Sequence, residues 1–191
     1  DQKIILISLH PTNEHKEIIK KDLNQFFKFL KNITIYKKYY FIFSGTSSDI
    51  NSDLIEPYIL KFCRINNNTF YKKNFGHSLY SSLINHANIV IGNSSSGVID
   101  TAYYKTASIN VGTRQNGRPI SSNTVNANFN VRSLTRSFNI INSKLFKKNL
   151  INTKSFYGKP GASKKILNII EKKIPDIESK KLFIDINDKQ K

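Results

Sequence analysis

The 191-residue sequence is poor in several residue types that define common protein classes. Its one cysteine, Cys63, excludes a disulfide framework and a multi-cysteine metal site, and it fits a reducing, cytoplasmic compartment. The longest apolar runs, such as Ile4–Ile7, are far shorter than the ~20 residues of a membrane-spanning helix, and no secretory signal is visible. The chain has no methionine, even at its start, which leaves open that it is a piece of a longer protein.

Acidic residues are also scarce. Asp and Glu number 13 against 30 Lys and Arg, for a formal net charge of +17, and the 70 residues between Asp100 and Glu171 contain no carboxylate. Such a surface can attract nucleic acid, anionic membranes or phosphates. Codon bias is the alternative, since Asn, Ile and Lys supply 76 residues, as an AT-rich genome would produce. Only five basic residues are Arg, so Arg114 and Arg118 carry more information than the lysines.

Apolar and aromatic residues are plentiful. Hydrophobic residues make up 39% of the chain, with 13 Phe and 9 Tyr, which is enough for a sizeable core in one domain. Apolar runs predict strands at Lys3–Leu9, Tyr39–Phe43, Thr69–Lys72, Asn88–Ile91 and Ser108–Val111. Amphipathic segments predict helices at 14–31 (capped by Thr12 or Asn13), 53–64, 78–86, 96–105, 131–143 and 162–173.

Strands that are apolar on both faces and alternate with helices indicate a parallel sheet covered on both sides. We therefore predict an α/β fold, a Rossmann-like doubly wound domain over residues 1–173, followed by a polar tail over 174–191 that is ordered only against a partner surface. Ligands of such sheets bind beyond the carboxyl ends of the strands, near the switch in strand order. This rule directs attention to His10, Gly45 and the segments 92–97 and 112–118.

The segment GNSSSG, residues 92–97, follows a predicted strand and opens a predicted helix. Small residues let the backbone approach a ligand, and three hydroxyls with the free N–H groups of a helical turn form an anion site. A helix cap by Ser95 or Ser96 is the alternative, but a cap needs one serine and not three. The loop is neither a Walker A motif nor GxGxxG. We predict that it binds phosphate through Asn93, Ser94, Ser95, Ser96 and Gly97.

Polar residues near this loop each have a functional and a structural interpretation. Asp100 can accept hydrogen bonds from ribose hydroxyls, or it can simply complement the helix dipole. Arg114 and Arg118 can clamp a diphosphate with forked donors, or they can lie in a solvated loop. His10, directly after the first strand, can donate to a phosphate or assist acid–base chemistry, or it can be a turn residue.

Other candidate ligating residues are interpreted as structural. His77 and His86 lie on or beside one predicted helix with no acid or cysteine at the spacing of metal ligands, so we predict no metal site. Cys63 lies on an amphipathic helix and is expected to be a core residue.

Together these motifs resemble the C-terminal half of the hydrolysing UDP-N-acetylglucosamine 2-epimerases, in the branch that begins sialic and legionaminic acid synthesis. The resemblance is carried by GNSSSGVID (92–100), SINVGTRQNGR (108–118), His10-Pro11 and YGKPGASKKI (157–166). It implies the second half of a two-domain GT-B-type fold, which binds a nucleotide sugar in the cleft between its domains.

The resemblance also implies roles for individual residues. Ser94, Ser95 and Ser96 would lie at the diphosphate, and His10 would lie near the phosphates and the reacting sugar. Asp100 matches a ribose-binding acid that is usually Glu in the family, and Thr101-Ala102 stands where Ala-Pro is usual. The basic loop after the next strand is matched by Arg114, Gln115 and Arg118, and the base would be contacted partly by backbone near Gly76–Tyr80.

The reaction implied by the resemblance begins with proton transfer at sugar C2 and elimination of the nucleotide diphosphate. Water then adds to the resulting 2-acetamidoglucal and gives N-acetylmannosamine. The carboxylates that move the protons belong to a first domain that this chain lacks. We therefore expect the chain to bind UDP-N-acetylglucosamine or a related UDP or GDP sugar, to need that domain in cis or in trans for catalysis, and to use no cofactor. A homodimer is left open.

Two other functions compete with this one. A nucleotide-sugar glycosyltransferase half of the same fold would usually show a Glu-rich loop where this chain has GNSSSG followed by RQNGR. A basic nucleic-acid-binding module would place Arg and aromatic residues together on one face, whereas the lysines here are scattered. The sequence therefore favours the epimerase half over both alternatives.

Overall fold

The structure, a computed structural model, describes residues 2–35, 38–46 and 50–174. Six strands form one parallel sheet in the order β3-β2-β1-β4-β5-β6. This is the doubly wound α/β fold that the sequence predicts. The strands are β1 (Lys3–Ser8), β2 (Tyr39–Ser44), β3 (Thr69–Lys72), β4 (Ile89–Gly92), β5 (Ala107–Val111) and β6 (Thr124–Ala127).

Helices connect the strands and continue beyond the sheet. They are α1 (Lys16–Thr34), α2 (Glu56–Ile65), α3 (Gly76–His86), α4 (Asp100–Tyr104), α5 (Val131–Asn142), α6 (Lys144–Leu150) and α7 (Ala162–Lys173). Short 3-10 turns precede α2, at Ser52–Leu54, and α4, at Ser95–Gly97.

Two predictions about helix starts are wrong. Helix α1 begins at Lys16, later than predicted, so Thr12 and Asn13 lie too far away to cap it, and no side chain caps it at all. The helix predicted over 96–105 is a 3-10 turn followed by α4. Ser94, and not Ser95 or Ser96, caps that turn through its side chain.

The alternation of side chains along the strands divides the core between two faces of the sheet. On one face, Ile5 and Ile7 of β1 pack in a large cluster with residues of α1, α2 and α5. On the other, Leu6 of β1 and Val90 of β4 pack with Ile84 of α3. Both faces of β1 are therefore dry, which explains why this strand is an uninterrupted apolar run.

The chain forms two compact units, 1–157 and 158–191. Helix α7, which the sequence analysis assigns to the 1–173 domain, falls in the second unit. Apart from its first residue, Ile174, the predicted tail lies outside the described residues. In the part of the chain that the structure describes, no helix is long and apolar enough to cross a membrane.

Candidate functional site

A cavity of about 430 Å³ lies at the carboxyl edge of the sheet, where the strand order reverses between β1 and β4. We call it the cleft. Its walls come from the ends of four neighbouring strands and from the first turns of α3, as expected for a ligand site in a doubly wound sheet. The residues that line it are Ser8, His10, Ser44, Gly45, Lys73, Asn74, Phe75, Gly76, His77, Tyr80, Ser94 and Ser96.

Gly92 allows the two central strands to approach each other at the cleft. Ser8, at the end of β1, pairs with Gly92, at the end of β4. A Cβ atom on Gly92 would lie 1.9 Å from the Ser8 carbonyl oxygen, and its φ of +152° is a conformation that side chains disfavour. The glycine that opens the serine loop is therefore required by the β1–β4 contact.

Asn93 fixes the backbone of His10. Its side-chain Oδ1 accepts a hydrogen bond from the His10 N–H at 2.7 Å, and its Nδ2 donates to the His10 carbonyl at 2.8 Å. The Asn93 backbone N–H donates to the Ser8 carbonyl at 3.2 Å. Because the Asn93 side chain is buried and is bonded to the His10 backbone at both Oδ1 and Nδ2, Asn93 positions His10 at the cleft and does not itself line it.

Gln115 extends the same network to β5. It is 2% exposed, and its Nε2 donates to the Asn93 carbonyl at 2.8 Å. The Arg114 Nη1 donates to that same carbonyl at 3.3 Å from an exposed position. These side chains brace the back of the serine loop, so the turn after β5, the loop at the end of β4 and His10 after β1 are held together.

Arg118 completes the turn after β5. Its backbone N–H donates to the Gln115 carbonyl at 3.2 Å, and its side chain is exposed. Among the described residues, neither Arg118 nor Arg114 lines the cleft. The predicted arginine pair thus lies on a surface turn that is tied to the serine loop.

Three hydroxyl groups form a relay that ends in the serine loop. The Ser96 Oγ–H donates to the Ser94 Oγ at 3.0 Å, and the Ser96 Oγ lies 3.0 Å from the Tyr80 hydroxyl. With the Ser96 proton committed to Ser94, Tyr80 is the donor to Ser96. The Ser94 Oγ also accepts from the Ser96 N–H at 3.4 Å, so its own proton remains to be donated into the cleft.

Gly97 and Thr101 hold the turn that carries the serines. The Gly97 carbonyl accepts from the Thr101 Oγ1 at 2.8 Å and also from the Ser108 hydroxyl. Thr101 in turn accepts from the Asn123 Nδ2 at 3.1 Å. Its hydroxyl is therefore part of the buried support of the loop. This gives a structural role to Thr101, which stands where the family resemblance leads us to expect Ala.

Asp100 opens α4 close to His77. Burial raises the pKa of the Asp100 carboxyl above its ordinary value, and the charge of His77 opposes that rise. His77, interpreted as structural from the sequence, lines the cleft. His86 is bonded within α3, where its Nδ1 lies 2.8 Å from the Ser82 carbonyl. Of the two histidines, only His77 is placed to contact a ligand of the cleft.

Only some of the predicted site residues line the cleft, and several residues that were not predicted line it as well. His10, Ser94 and Ser96 line the cleft, whereas Ser95, Gly97 and Asp100 lie beside it. Lys73, His77 and Tyr80 also line the cleft, and the sequence analysis assigned no ligand-binding role to their side chains. For Lys73 the position after β3 was an available signal, since every neighbouring strand end contributes to the same edge.

The lining is basic and polar. In the described part of the chain, it contains His10, Lys73 and His77 but no carboxylate. No three His, Cys, Asp or Glu side chains among the described residues are grouped so that they could hold a metal ion. What the cleft offers chemically is hydroxyl, imidazole and ammonium donors directed at one space, which suits an anion.

Comparisons with known proteins identify the family of the chain. Residues 1–171 match the family model described as UDP-N-acetylglucosamine 2-epimerase. The chain is 32% identical over 150 residues to a Campylobacter jejuni protein named GDP/UDP-N,N'-diacetylbacillosamine 2-epimerase (hydrolyzing), covering 78% of this chain and 38% of the relative. It is 27% identical over 150 residues to the Escherichia coli polysialic acid biosynthesis protein P7, covering 76% and 36%.

A solved structure shows the same fold. The Neisseria meningitidis UDP-GlcNAc 2-epimerase bound to UDP-GlcNAc superposes with a TM-score of 0.70 at 16% identity, over 90% of this chain and 45% of that one. The chain therefore spans less than half the length of each of these three proteins.

Proposed function

The chain belongs to the UDP-N-acetylglucosamine 2-epimerase family, and from this premise we propose that it is the nucleotide-binding half of a hydrolysing 2-epimerase. Its ligand would be UDP-N-acetylglucosamine or a related acetamido sugar on UDP or GDP. The observation that carries this proposal is the lining of the cleft, in which the Tyr80–Ser96–Ser94 relay presents a hydroxyl donor beside His10 and the described residues include basic side chains but no carboxylate.

The diphosphate would lie at the serine loop. Ser94 donates its free proton to a phosphate oxygen, and the basic side chains of the lining add charge-assisted hydrogen bonds. Arg118 contributes from the adjoining turn. Asp100, beside His77, would accept hydrogen bonds from the ribose hydroxyls. Its carboxylate would repel the anionic phosphates, so a neutral hydroxyl donor is the better partner for it.

In the proposed reaction, this half of the enzyme would bind and stabilise the nucleotide diphosphate that leaves the sugar. A base removes the proton on sugar C2, the bond between C1 and the diphosphate oxygen breaks, and negative charge grows on the leaving nucleotide. Donors fixed at that position stabilise the charge, which lowers the barrier to elimination. Water then adds to the 2-acetamidoglucal to give N-acetylmannosamine, as in the early steps of sialic or legionaminic acid synthesis. The one cysteine and the nucleotide-sugar substrate support a cytoplasmic location.

The proton-transfer steps would be carried out elsewhere. The described residues of the cleft lining include no carboxylate that could act as the base, which supports a source of the bases outside these residues. The relatives are more than twice as long as this chain, which supports a second domain as their source, supplied in cis or in trans. A homodimer would complete the site only if the second copy placed carboxylates at the cleft.

Calorimetric titration of the chain with UDP, GDP and UDP-N-acetylglucosamine tests this proposal. Ser94→Ala should weaken binding of each ligand about tenfold, because a hydrogen bond to a charged group contributes about 1.5–3 kcal/mol. The exposed Ser122 gives the matched control, Ser122→Ala, which should bind as the parent chain does. Equal losses in both variants, or no binding by the parent, would refute the assignment of the diphosphate site.

The arginine turn is tested in the same titration. Arg118→Ala should weaken UDP binding by about tenfold or more while leaving the melting temperature unchanged, since the side chain is exposed. Arg136→Ala, at an exposed position of α5, is its control. The chain alone should release no UDP from UDP-N-acetylglucosamine, and measurable release would show that it holds its own catalytic bases.

A further inference from the structure

A second concave surface lies between α1 and α2, on the sheet face that these helices cover. It is a groove of about 520 Å³, and none of its lining residues lines the cleft. Nine described residues line it, all of them from α1 and α2. We call it the helix groove. It is larger than the cleft, and the proposed nucleotide chemistry makes no use of it.

The floor of the helix groove is aromatic. Phe27 of α1 lies with its ring centroid 5.7 Å from that of Tyr58 and 5.6 Å from that of Phe62. Phe43 of β2 supports them from below, with centroids 6.2 Å from Phe27 and 5.7 Å from Phe62. Because Phe62 is buried and the other two floor rings are half-buried, the floor is a fixed apolar surface that is open on one side.

The rim of the helix groove is positively charged. Lys28 and Lys31 of α1 face Lys61 of α2 across the opening, and all three are exposed. No carboxylate is among the described lining residues. The three ammonium groups repel one another, and an anion bound among them would relieve that repulsion. The attraction between the lysine rim and such an anion is strongest at low ionic strength.

We propose that the helix groove binds a small amphipathic anion. Its aromatic or aliphatic body would lie on Phe27 and Tyr58, and its carboxylate, sulfonate or phosphate would meet the lysine rim. The volume falls within the roughly 300–1,000 Å³ of small-molecule sites. A protein partner fits less well, because stable interfaces use about 20–30 residues a side and only nine line this groove. A second copy would bring the same +17 charge.

The anionic dye 8-anilinonaphthalene-1-sulfonate is a suitable probe, since its fluorescence rises in an apolar site. Titrated against the native 191-residue chain at low salt, it should saturate as a single class of site. The uncharged N-phenyl-1-naphthylamine should bind at least fivefold more weakly. Saturating UDP should leave dye binding unchanged, because the cleft and the groove share no residue.

Two pairs of variants locate the dye. Lys31→Gln/Lys61→Gln should raise the dissociation constant about fivefold, as two screened ion contacts would, whereas Lys148→Gln/Lys164→Gln, at exposed positions outside the groove, should not. Ile65 is 68% exposed at the rim, so Ile65→Glu should repel the dye without unfolding the chain. Ile151→Glu, at a position 69% exposed, is its control.

Three results would overturn the proposal. One is equal binding of the charged and uncharged dyes, which would show that the rim gives no selectivity for anions. Another is competition by UDP, which would place the dye in the cleft. The third is an unchanged dissociation constant in both the lysine pair and Ile65→Glu. The UDP titration of the parent chain is independent of all three, so failure here leaves the nucleotide proposal standing.

Discussion

Tyr80 shows how a single residue can govern a loop that it does not belong to. Its hydroxyl donates to Ser96, whose proton passes to Ser94, so the donor that reaches the cleft is polarised by two further hydroxyls. Tyr80 lies 16 residues before Ser96, on α3, and no local pattern in the sequence links them. The sequence predicts the serines from their place at a strand end, but the packing of α3 supplies their orientation.

Tyr80→Phe tests the relay. Removing the hydroxyl leaves the ring in place but takes the donor from Ser96, so affinity for UDP should fall about three- to tenfold, with a loss of about 1 kcal/mol in the free energy of unfolding. Uridine, which has no phosphate, should bind both chains equally in the same calorimetric titration. Tyr103→Phe, at an exposed position, is the control. Equal losses for UDP and uridine would contradict a role at the diphosphate.

We expect the ionised carboxylate of Asp100 to destabilise the fold, although the proposed binding of ribose requires it. Burial raises its pKa in the folded chain, so folding favours the protonated acid. Its contribution to stability is therefore present at pH values below the unfolded pKa of about 3.9 and is lost as the pH rises through the folded pKa. At neutral pH the ionised carboxylate of Asp100 therefore destabilises the fold.

Asp100→Asn should accordingly raise the melting temperature at pH 7, and the gain should shrink towards pH 3, where the parent acid is protonated. If the carboxylate binds ribose, the same variant should bind UDP more weakly, whereas Asp100→Glu should bind it as well or better. Melting curves at the two pH values and UDP titration at pH 7 measure both effects. An equal gain at pH 3 and pH 7 would rule out the carboxylate charge as its cause.

At the scale of the elements, the sequence predicts those whose environment is uniform along their length. β1 and β2 are apolar on both faces, and the parallel sheet follows from that pattern. β6, with the sequence TVNA, was missed because it is a half-exposed strand at the edge of the sheet and has no apolar run. The bonds from Gln115 to Asn93 and from Asn93 to His10 span 22 and 83 residues, so only the assembled sheet brings these groups together.

The contact between β1 and β4 depends on Gly92. Gly92→Ala would place a methyl group 1.9 Å from the Ser8 carbonyl, so the strands must separate, and the free energy of unfolding should fall by more than about 3 kcal/mol. Gly117→Ala is a matched control, because Gly117 also has a positive φ, of +82°, but has open space around it. Its cost should be about 1 kcal/mol.

Urea denaturation of the two glycine variants separates steric conflict from backbone preference. If Gly92→Ala costs no more than Gly117→Ala, the close approach of the central strands is not what requires glycine in the serine loop. UDP binding should also be lost in Gly92→Ala, since the loop that follows cannot keep its place.

At the scale of the whole molecule, the positive charge is divided among several surfaces. Part of it lies at the cleft and on the turn after β5, which is within the acid-free span, and part forms the lysine rim of the helix groove. Almost all the remaining lysines that the structure describes are scattered over exposed positions. The net charge alone would have suggested a nucleic-acid partner, whereas the arrangement of the charge suits two separate small anions.

The folded core and the cleft both belong to the first of the two units. The buried apolar residues run from Ile5 to Ile141, and the lining of the cleft runs from Ser8 to Ser96. In the described part of the second unit, the apolar side chains of α7, such as Ile166 and Ile170, are exposed. A chain that ends at Tyr157 should therefore keep its cooperative unfolding, with a melting temperature within a few degrees of the parent.

The shortened chain should also bind UDP within about twofold of the parent. A chain that ends at Asn123 is the control, because it loses β6 and α5, whose Leu134 and Phe138 belong to the large core cluster, and it should not fold. Circular dichroism melts and UDP titration of the three chains decide the point. If the chain ending at Tyr157 folds but no longer binds UDP, residues beyond 157 supply part of the nucleotide site, and the cleft described above is incomplete.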